Sequence, residues 1–308
     1  MAKREISIRG IFISLMLIAF LLSRTGAAAD IFARDNLVAW CIVPFDAKKR
    51  TPQQRAEMLE KLGIHRFAYD WRAEHLPTFD TELDELKRHS IELTALWFPA
   101  ELNADARTLL DGIKKHNLSP QLWVTTQINP QPNQEKTVAS AAAVIRPIAI
   151  EAAKLKCQVA LYNHGGWFGE PENQIAIIEA LKKEGITNVG IVYNQHHGHE
   201  HIARFPELLA KMKPYLLALN LNGMTKDGDK SGKKILPLGQ GELDLQLLKI
   251  IRDSGYTGLI GILNHTDEDA EGRLIDNLDG LDWLVAQLHG KPPAPAPKPR
   301  SHRSQGAN

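Results

Sequence analysis

The chain has 308 residues, 44% hydrophobic and 24% charged, with a formal net charge of +1. This excludes disorder throughout, a collagen-like or repeat array and a disulfide mini-fold, and allows one large core or two modest ones. Two cysteines, Cys41 and Cys157, are too few for a disulfide framework or a four-thiolate zinc site.

The charge is unevenly spread. Residues 1–29 read as a signal peptide: Lys3, Arg4 and Arg9 form a basic start, and Ile11 to Ser23 is an apolar run of 13 residues. Ala27, Ala28 and Ala29 then supply small residues for cleavage, with Asp30 as the expected mature start. The run is shorter than the roughly 20 residues of a bilayer span, so a periplasmic or secreted protein with no stable membrane span after cleavage is expected. Residues 291–308 are proline-rich and basic and read as an extended, mobile tail with nothing to bury. The body between, residues 30–290, carries −6. An acidic body argues against a nucleic-acid partner, which would call for a basic face.

Within the body, short β-rich runs alternate with amphipathic helical stretches. The runs are Leu37–Val43, Arg66–Asp70, Ile91–Phe98, Gln121–Thr126, Cys157–Asn163, Val189–Asn194, Leu216–Asn222 and Gly258–Asn264. The first helix is announced by Thr51 as cap, Pro52 in its first turn and Gly63 beyond its end. Further helices are expected near Thr78–Arg88, Asn103–Lys115, Thr137–Lys154, Glu172–Glu184, Ile202–Met212, Leu245–Ser254 and Ala270–Leu288, with Pro147 kinking the fourth. Strands alternating with helices imply parallel pairing, and eight such units predict a single (β/α)8 TIM barrel. An open doubly wound sheet would show a glycine-rich turn after the first strand, where Pro44, Phe45 and Asp46 stand instead. Cys41 and Cys157, on the first and fifth strands, are expected as buried free thiols.

Chemistry in such a barrel sits where strands end. The fifth strand runs out in Asn163 and His164, the sixth in Asn194 followed by His196, His197, His199 and His201, the seventh in Asn220 and Asn222, and the eighth in Asn264 and His265. A single Asn at a strand end is ordinary turn chemistry, but four consecutive strands ending this way suggest a ligand site. His164 and His197 are candidate ligands for a divalent metal such as zinc, manganese or iron, and His164, His197 and His265 are candidate catalytic groups near neutral pH. His199 and His201 read as part of a polar, exposed loop leading into the next helix. Amide side chains can both donate to and accept from sugar hydroxyls, which makes Asn163, Asn194, Asn220, Asn222 and Asn264 candidate substrate ligands. Trp97 and Trp167 are candidate platforms for a sugar face, whereas Trp40 and Trp123 read as barrel filling. Between the seventh strand and its helix lies Gly239-Gln240-Gly241-Glu242-Leu243-Asp244, where Asp244 reads as a helix cap and Glu242 as an ambiguous binding candidate.

That loop, followed by Leu247-Leu248 and Ser254-Gly255-Tyr256-Thr257-Gly258, resembles the Gly-x-Gly-x-hydrophobic-Asp … Gly-Tyr-x-Gly pattern of the xylose isomerase-like TIM barrels. These include sugar phosphate isomerases and epimerases and the endonuclease IV type of repair enzyme. The likeness spans roughly Leu37 to Leu288. It implies a divalent metal held by acidic and His residues at the ends of strands five to eight. The matching positions here are Tyr162 or Asn163, Asn194 with His197, Asn220 and Asn264, so the His is kept and the acids are replaced by neutral amides, which bind hard cations poorly. The reading is an exported sugar isomerase/epimerase-like protein acting on a small-molecule carbohydrate or polyol by proton transfer next to a carbonyl, with metal assistance from His164 and His197 in question. The alternative is a non-catalytic carbohydrate-binding barrel on the same scaffold. A glycoside hydrolase would need a carboxylate pair, which the strand ends do not show.

Overall fold

In the computed structural model, residues 30–300 are described; residues 1–29, where a signal peptide is expected, and residues 301–308 lie outside them. Eight strands form: β1 Leu37–Trp40, β2 Arg66–Tyr69, β3 Glu92–Phe98, β4 Gln121–Val124, β5 Val159–Tyr162, β6 Val189–Asn194, β7 Leu216–Leu221 and β8 Leu259–Leu263. Each pairs in parallel with its sequence neighbour, and β1 closes on β8 with Leu37 opposite Ile260 and Trp40 opposite Leu263. Each strand falls within its expected run, most of them trimmed at the ends where the chain leaves the ladder.

The crossover helices are α1 Pro52–Lys61, α2 Phe79–Arg88, α3 Ala104–Lys115, α4 Gln134–Lys154, α5 Pro171–Lys183, α6 Phe205–Met212, α7 Asp244–Asp253 and α8 Ala270–Leu288. Local capping sets their starts. The amide of Gln54 donates to Thr51 Oγ1 at 3.3 Å while that of Thr51 donates to Gln54 Oε1 at 3.0 Å, a reciprocal box that satisfies two end-of-helix donors. Helix α4 begins three residues before the expected Thr137, because Asn133 Oδ1 accepts from the Lys136 amide at 2.9 Å. Helix α6 begins later than expected, since His199–Arg204 is wound as a 3-10 helix.

Two apolar layers result. The outer one lies between the strands and the helices; the inner one fills the barrel. Inside, Trp40, Trp123 and Tyr162 take the volume left by Ala68, Ala95, Ala160 and Ala218. Trp40 meets Trp123 edge to face at 4.6 Å between centroids, and Trp123 Nε1 donates to Gln121 Oε1 at 2.9 Å. Trp123 is thus barrel filling, and Trp40 fills the barrel while also facing the cavity at the strand ends. Gly261 of β8 is small of necessity: a Cβ there would stand 1.8 Å from Asn220 Oδ1.

The rim at the C-terminal ends of the strands is tied across the β1–β8 seam. Arg50 pairs with Asp46 at 2.8 Å, Asp269 at 2.7 Å and Glu271 at 3.0 Å, and Asp46 also accepts from the Ala270 amide at 3.1 Å. Such a half-buried network holds two loops in register, and removing one partner leaves the others uncompensated. Residues 291–300 form no helix or strand but have partners along α8. Trp283 Nε1 donates to the Ala294 carbonyl at 2.8 Å, and Arg300 pairs with Asp276 at 2.8 Å and Asp279 at 2.9 Å. Among the described residues no helix is long and apolar enough to cross a membrane. Cys41 and Cys157 are both buried and free, one just beyond β1 and the other just before β5, at opposite ends of the barrel.

Candidate active site

At the C-terminal ends of the strands a cavity of about 90 Å³ is lined by Trp40, Cys41, Phe45, Asp70, Arg72, Trp97, Tyr162, His164, His196, His197 and His265. Loop geometry brings the imidazoles together. After β5 the chain turns at Gly165 and Gly166, both with positive φ (78° and 62°), which only glycine adopts without strain. After β6, Gln195–His197 forms a 3-10 turn. The His164 and His197 rings lie 4.3 Å apart between centroids, and those of His196 and His197 lie 3.7 Å apart. His265 packs on Phe45 at 3.6 Å, and the Arg72 guanidinium stands 5.3 Å over the same Phe45 ring. Tyr162 forms the floor beneath these rings, 5.1 Å from Trp97 and 5.8 Å from His197.

All four imidazoles are held neutral. Burial, then mutual repulsion with His164 and the Lys234 ammonium, brings His197 down to about 3. Burial pushes His196 well below the usual histidine range, with His197 and His265 adding to it. His164 and His265 are lowered as well, again chiefly by burial. A neutral imidazole keeps one N–H donor and one acceptor nitrogen.

The carboxyl in this lining was not among the sequence candidates. Asp70 directly follows β2, is 2% exposed and accepts from the Val43 amide at 3.2 Å through Oδ1, while its Oδ2 is buried without an N–H or O–H donor. Burial raises it to about 6, against the opposing pull of Arg72. Beside it stands Cys41, whose thiol is driven well above its ordinary range by burial and by Asp70, and whose own φ is 60°. Arg72 donates to the carbonyls of Asp70 and Trp71, both at 2.8 Å. An acid ending an apolar strand was a visible signal, but in isolation it reads as turn chemistry.

The five amides lie elsewhere. Asn163, Asn194 and Asn220 are buried and bonded to one another. The Asn194 amide N–H donates to Asn163 Oδ1 at 2.7 Å, Asn163 Nδ2 to the Asn194 carbonyl at 3.1 Å, and Asn220 Nδ2 to Asn194 Oδ1 at 2.6 Å. This chain stitches β5, β6 and β7 beneath the mouth. Asn222 Nδ2 donates to the Gly223 carbonyl at 2.9 Å, and Asn264 Nδ2 to that of Ala270 at 3.4 Å. None of the five lines the cavity.

Of the aromatic candidates, Trp97 lines the cavity, whereas Trp167 stands outside it with Nε1 donating to Gln134 Oε1 at 3.1 Å. His201 is not exposed as expected but buried between the Tyr193 hydroxyl at 3.0 Å and Glu170 at 3.2 Å, which give its ring nitrogens partners, and His199 meets the Lys234 carbonyl at 3.0 Å. Glu242 lies outside the cavity and accepts from the Lys226 amide at 3.0 Å. Asp244 accepts from the amides of Met224 at 2.6 Å, Gly239 at 2.8 Å and Gly241 at 3.0 Å. A Cβ on Gly241 would come within 2.3 Å of the Met224 backbone. Asp244 therefore does not cap α7, as expected, but is the first residue of that helix, after Leu243, and the glycine–aspartate motif staples the β7–α7 loop.

The residues present do not fit a catalytic divalent ion, which usually has three protein ligands and an open position. The strand-end acids are replaced by amides whose Nδ2 groups are spent on protein acceptors, and whose buried unpartnered oxygens, Oδ1 of Asn220 and Asn264, are neutral and weak ligands for a hard cation. Among the described residues no group of three or more His, Cys, Asp or Glu is placed to hold a metal. His164 and His197 come together as sequence spacing suggested, but as a tilted ring pair with an interplanar angle of 52°.

A closed eight-stranded parallel barrel with helices between its strands is a TIM barrel, and its fold is similar to that of solved xylose isomerase domain proteins. No known family model matches the sequence, and no curated protein matches it. The likeness lies in solved structures. An IolI protein with a bound zinc atom superposes with a TM-score of 0.64 at 15% identity, over 81% of this chain and 98% of that one. The 3-keto-D-glucoside 4-epimerase YcjR of E. coli gives 0.58 at 12% identity, over 82% and 99%. A D-psicose 3-epimerase crystallised with D-fructose gives 0.56 at 14% identity, over 83% and 98%.

Proposed function

We propose that this protein is an exported sugar isomerase/epimerase-like enzyme that moves a proton next to the carbonyl of a carbohydrate or polyol-derived substrate. The observation that carries this reading is the convergence of four neutral imidazoles and one buried carboxyl on a single cavity at the strand ends. Clustered groups with displaced proton affinities are what acid–base chemistry requires, whereas a site built only to bind sugar has no need of them. A neutral imidazole N–H can hold the oxygen that becomes negative when the proton leaves, the role seen for a neutral His in sugar-phosphate isomerisation. The cavity of about 90 Å³ is smaller than the roughly 150 Å³ that encloses one benzene. The substrate therefore enters by its carbonyl end, with Trp97 and Arg72 meeting the remainder. The sugar-epimerase names of two similar structures accord with this chemistry.

The test uses mature protein in D2O with D-fructose, D-psicose and D-tagatose, read by proton NMR. Deuterium entering a carbon beside the carbonyl of at least one sugar is the expected result. No exchange in any of the three, with sugar binding still visible as a change in tryptophan fluorescence, would establish the binding-only barrel instead. For export, the mature N-terminus of the protein recovered outside the cytoplasm is expected at Asp30.

A further inference from the structure

We infer that Asp70, at the end of β2, is the group that takes and returns the proton in this site, with the imidazoles serving as hydrogen-bond donors to the substrate oxygens. The inference rests on the proton-transfer reading above and assigns its base. Strands five to eight, where the resemblance places the family's acids, offer only amides here, so the proton acceptor has to come from elsewhere in the lining. Asp70 is the carboxyl that lines the cavity. One of its oxygens is anchored by the Val43 amide, and the other is buried without an N–H or O–H donor, with the Cys41 thiol against the carboxyl. A carboxyl anchored on one side and short of donors on the other is oriented and keeps capacity to accept a proton.

The groups facing Asp70 agree with this assignment. They are the Cys41 thiol beyond β1, Arg72 and Tyr69 from its own strand region, Arg55 of α1 and Tyr162 of β5. The two arginines restrain the effect of burial, leaving the carboxyl at about 6. A base with that affinity is ionised at neutral pH and still holds a proton firmly enough to return it. His197, brought down to about 3, is a much weaker base, so the usual order of aspartate and histidine is reversed within one cavity.

The step balances as follows. The C–H bond beside the carbonyl breaks and its proton goes to Asp70 Oδ2. The electron pair enters the new C=C bond of an enediolate, and the former carbonyl oxygen takes the negative charge against an imidazole N–H. Return of the proton from Asp70 to the neighbouring carbon of that double bond, as the hydroxyl proton there passes to the former carbonyl oxygen, gives the isomer; return to the original carbon regenerates the sugar, with exchange.

The experiment measures exchange of the responsive sugar by mature protein and by D70N, D70E and H164Q, each across pH 4.5 to 8.5. D70N keeps an oxygen for the Val43 amide and is expected to fold, which a thermal melt verifies. Expected are a loss of about 100-fold or more in D70N with sugar binding retained, partial recovery in D70E, and a rising limb centred near pH 6 in the parent. H164Q should be slower but keep that limb. Exchange by D70N within about threefold of the parent, or disappearance of the limb in H164Q, overturns the assignment while the function stands. Absence of exchange in the parent itself removes the function and the assignment together.

Discussion

Asn220 donates its side-chain N–H to Asn194 Oδ1 at 2.6 Å. These two positions, at the ends of β7 and β6, are where the resemblance places metal-binding residues. Here they bond to each other, and Asn163 of the β5 end completes the chain. An amide can donate and accept at once, so three of them link in a buried chain that three carboxylates could not, ending at the unpartnered Asn220 Oδ1. The ground beneath the site is thereby structural, and the reactive groups sit one layer higher.

The amide chain should not tolerate a charge. Asn194→Asp replaces a donor aimed at Asn163 Oδ1 (3.2 Å) with an acceptor, and is expected to cost roughly 2–4 kcal/mol at pH 7. The loss should shrink at pH 4, where a protonated acid can donate again. Urea unfolding at the two pH values measures both.

Asp70 should make the protein less stable as pH rises. Its proton affinity is raised from 3.8 to about 6 in the folded state, so the stability it contributes is present below pH 4 and lost as pH climbs through 6. Asp70→Asn is then expected to be more stable than the parent by ~1–3 kcal/mol at pH 8 and equal to it at pH 4. Thermal or urea melts of both proteins decide this, and a gain in stability together with a loss of exchange would mark a residue kept for chemistry.

The imidazoles act in the opposite direction. His197 is brought from 6.5 down to about 3 by burial and its neighbours, so its contribution is intact above pH 6.5 and lost as pH falls toward 3. The parent should lose on the order of 2–3 kcal/mol more than His197→Gln between pH 7 and pH 4. Equal pH slopes for the two proteins would show that the ring protonates freely in the fold.

Tyr162 sets the depth of the cavity. Its ring is 3% exposed and touches Trp40, Trp97 and His197. Tyr162→Ala should cost about 3–5 kcal/mol, as large aromatic truncations in cores do. It should also let a sugar enter further, read as altered quenching of Trp40 and Trp97 by D-fructose.

The eight-fold alternation was legible in the chain because it rests on local physics. Caps such as Thr51 and Asn103, and apolar runs such as Val189–Asn194, announce themselves within a few residues. The convergence of His164, His197 and His265 followed from placing those runs in a barrel. Which polar residues face the mouth did not follow. Asn163, Asn194 and Asn220 look like ligands in sequence, and only their mutual distances show them bonded together. Asp70 looks like a turn residue, and becomes a site residue through Val43, Cys41 and Arg72 around it.

The uneven charge of the chain has the same character. The sequence by itself determined an acidic body between basic ends, eight βα units and a histidine-rich C-terminal face, because each depends on residue type and spacing alone. Tertiary structure decided which acid counts: burial raises Asp70 and depresses the imidazoles, and burial is a property of what packs around a residue, which spacing along the chain does not encode.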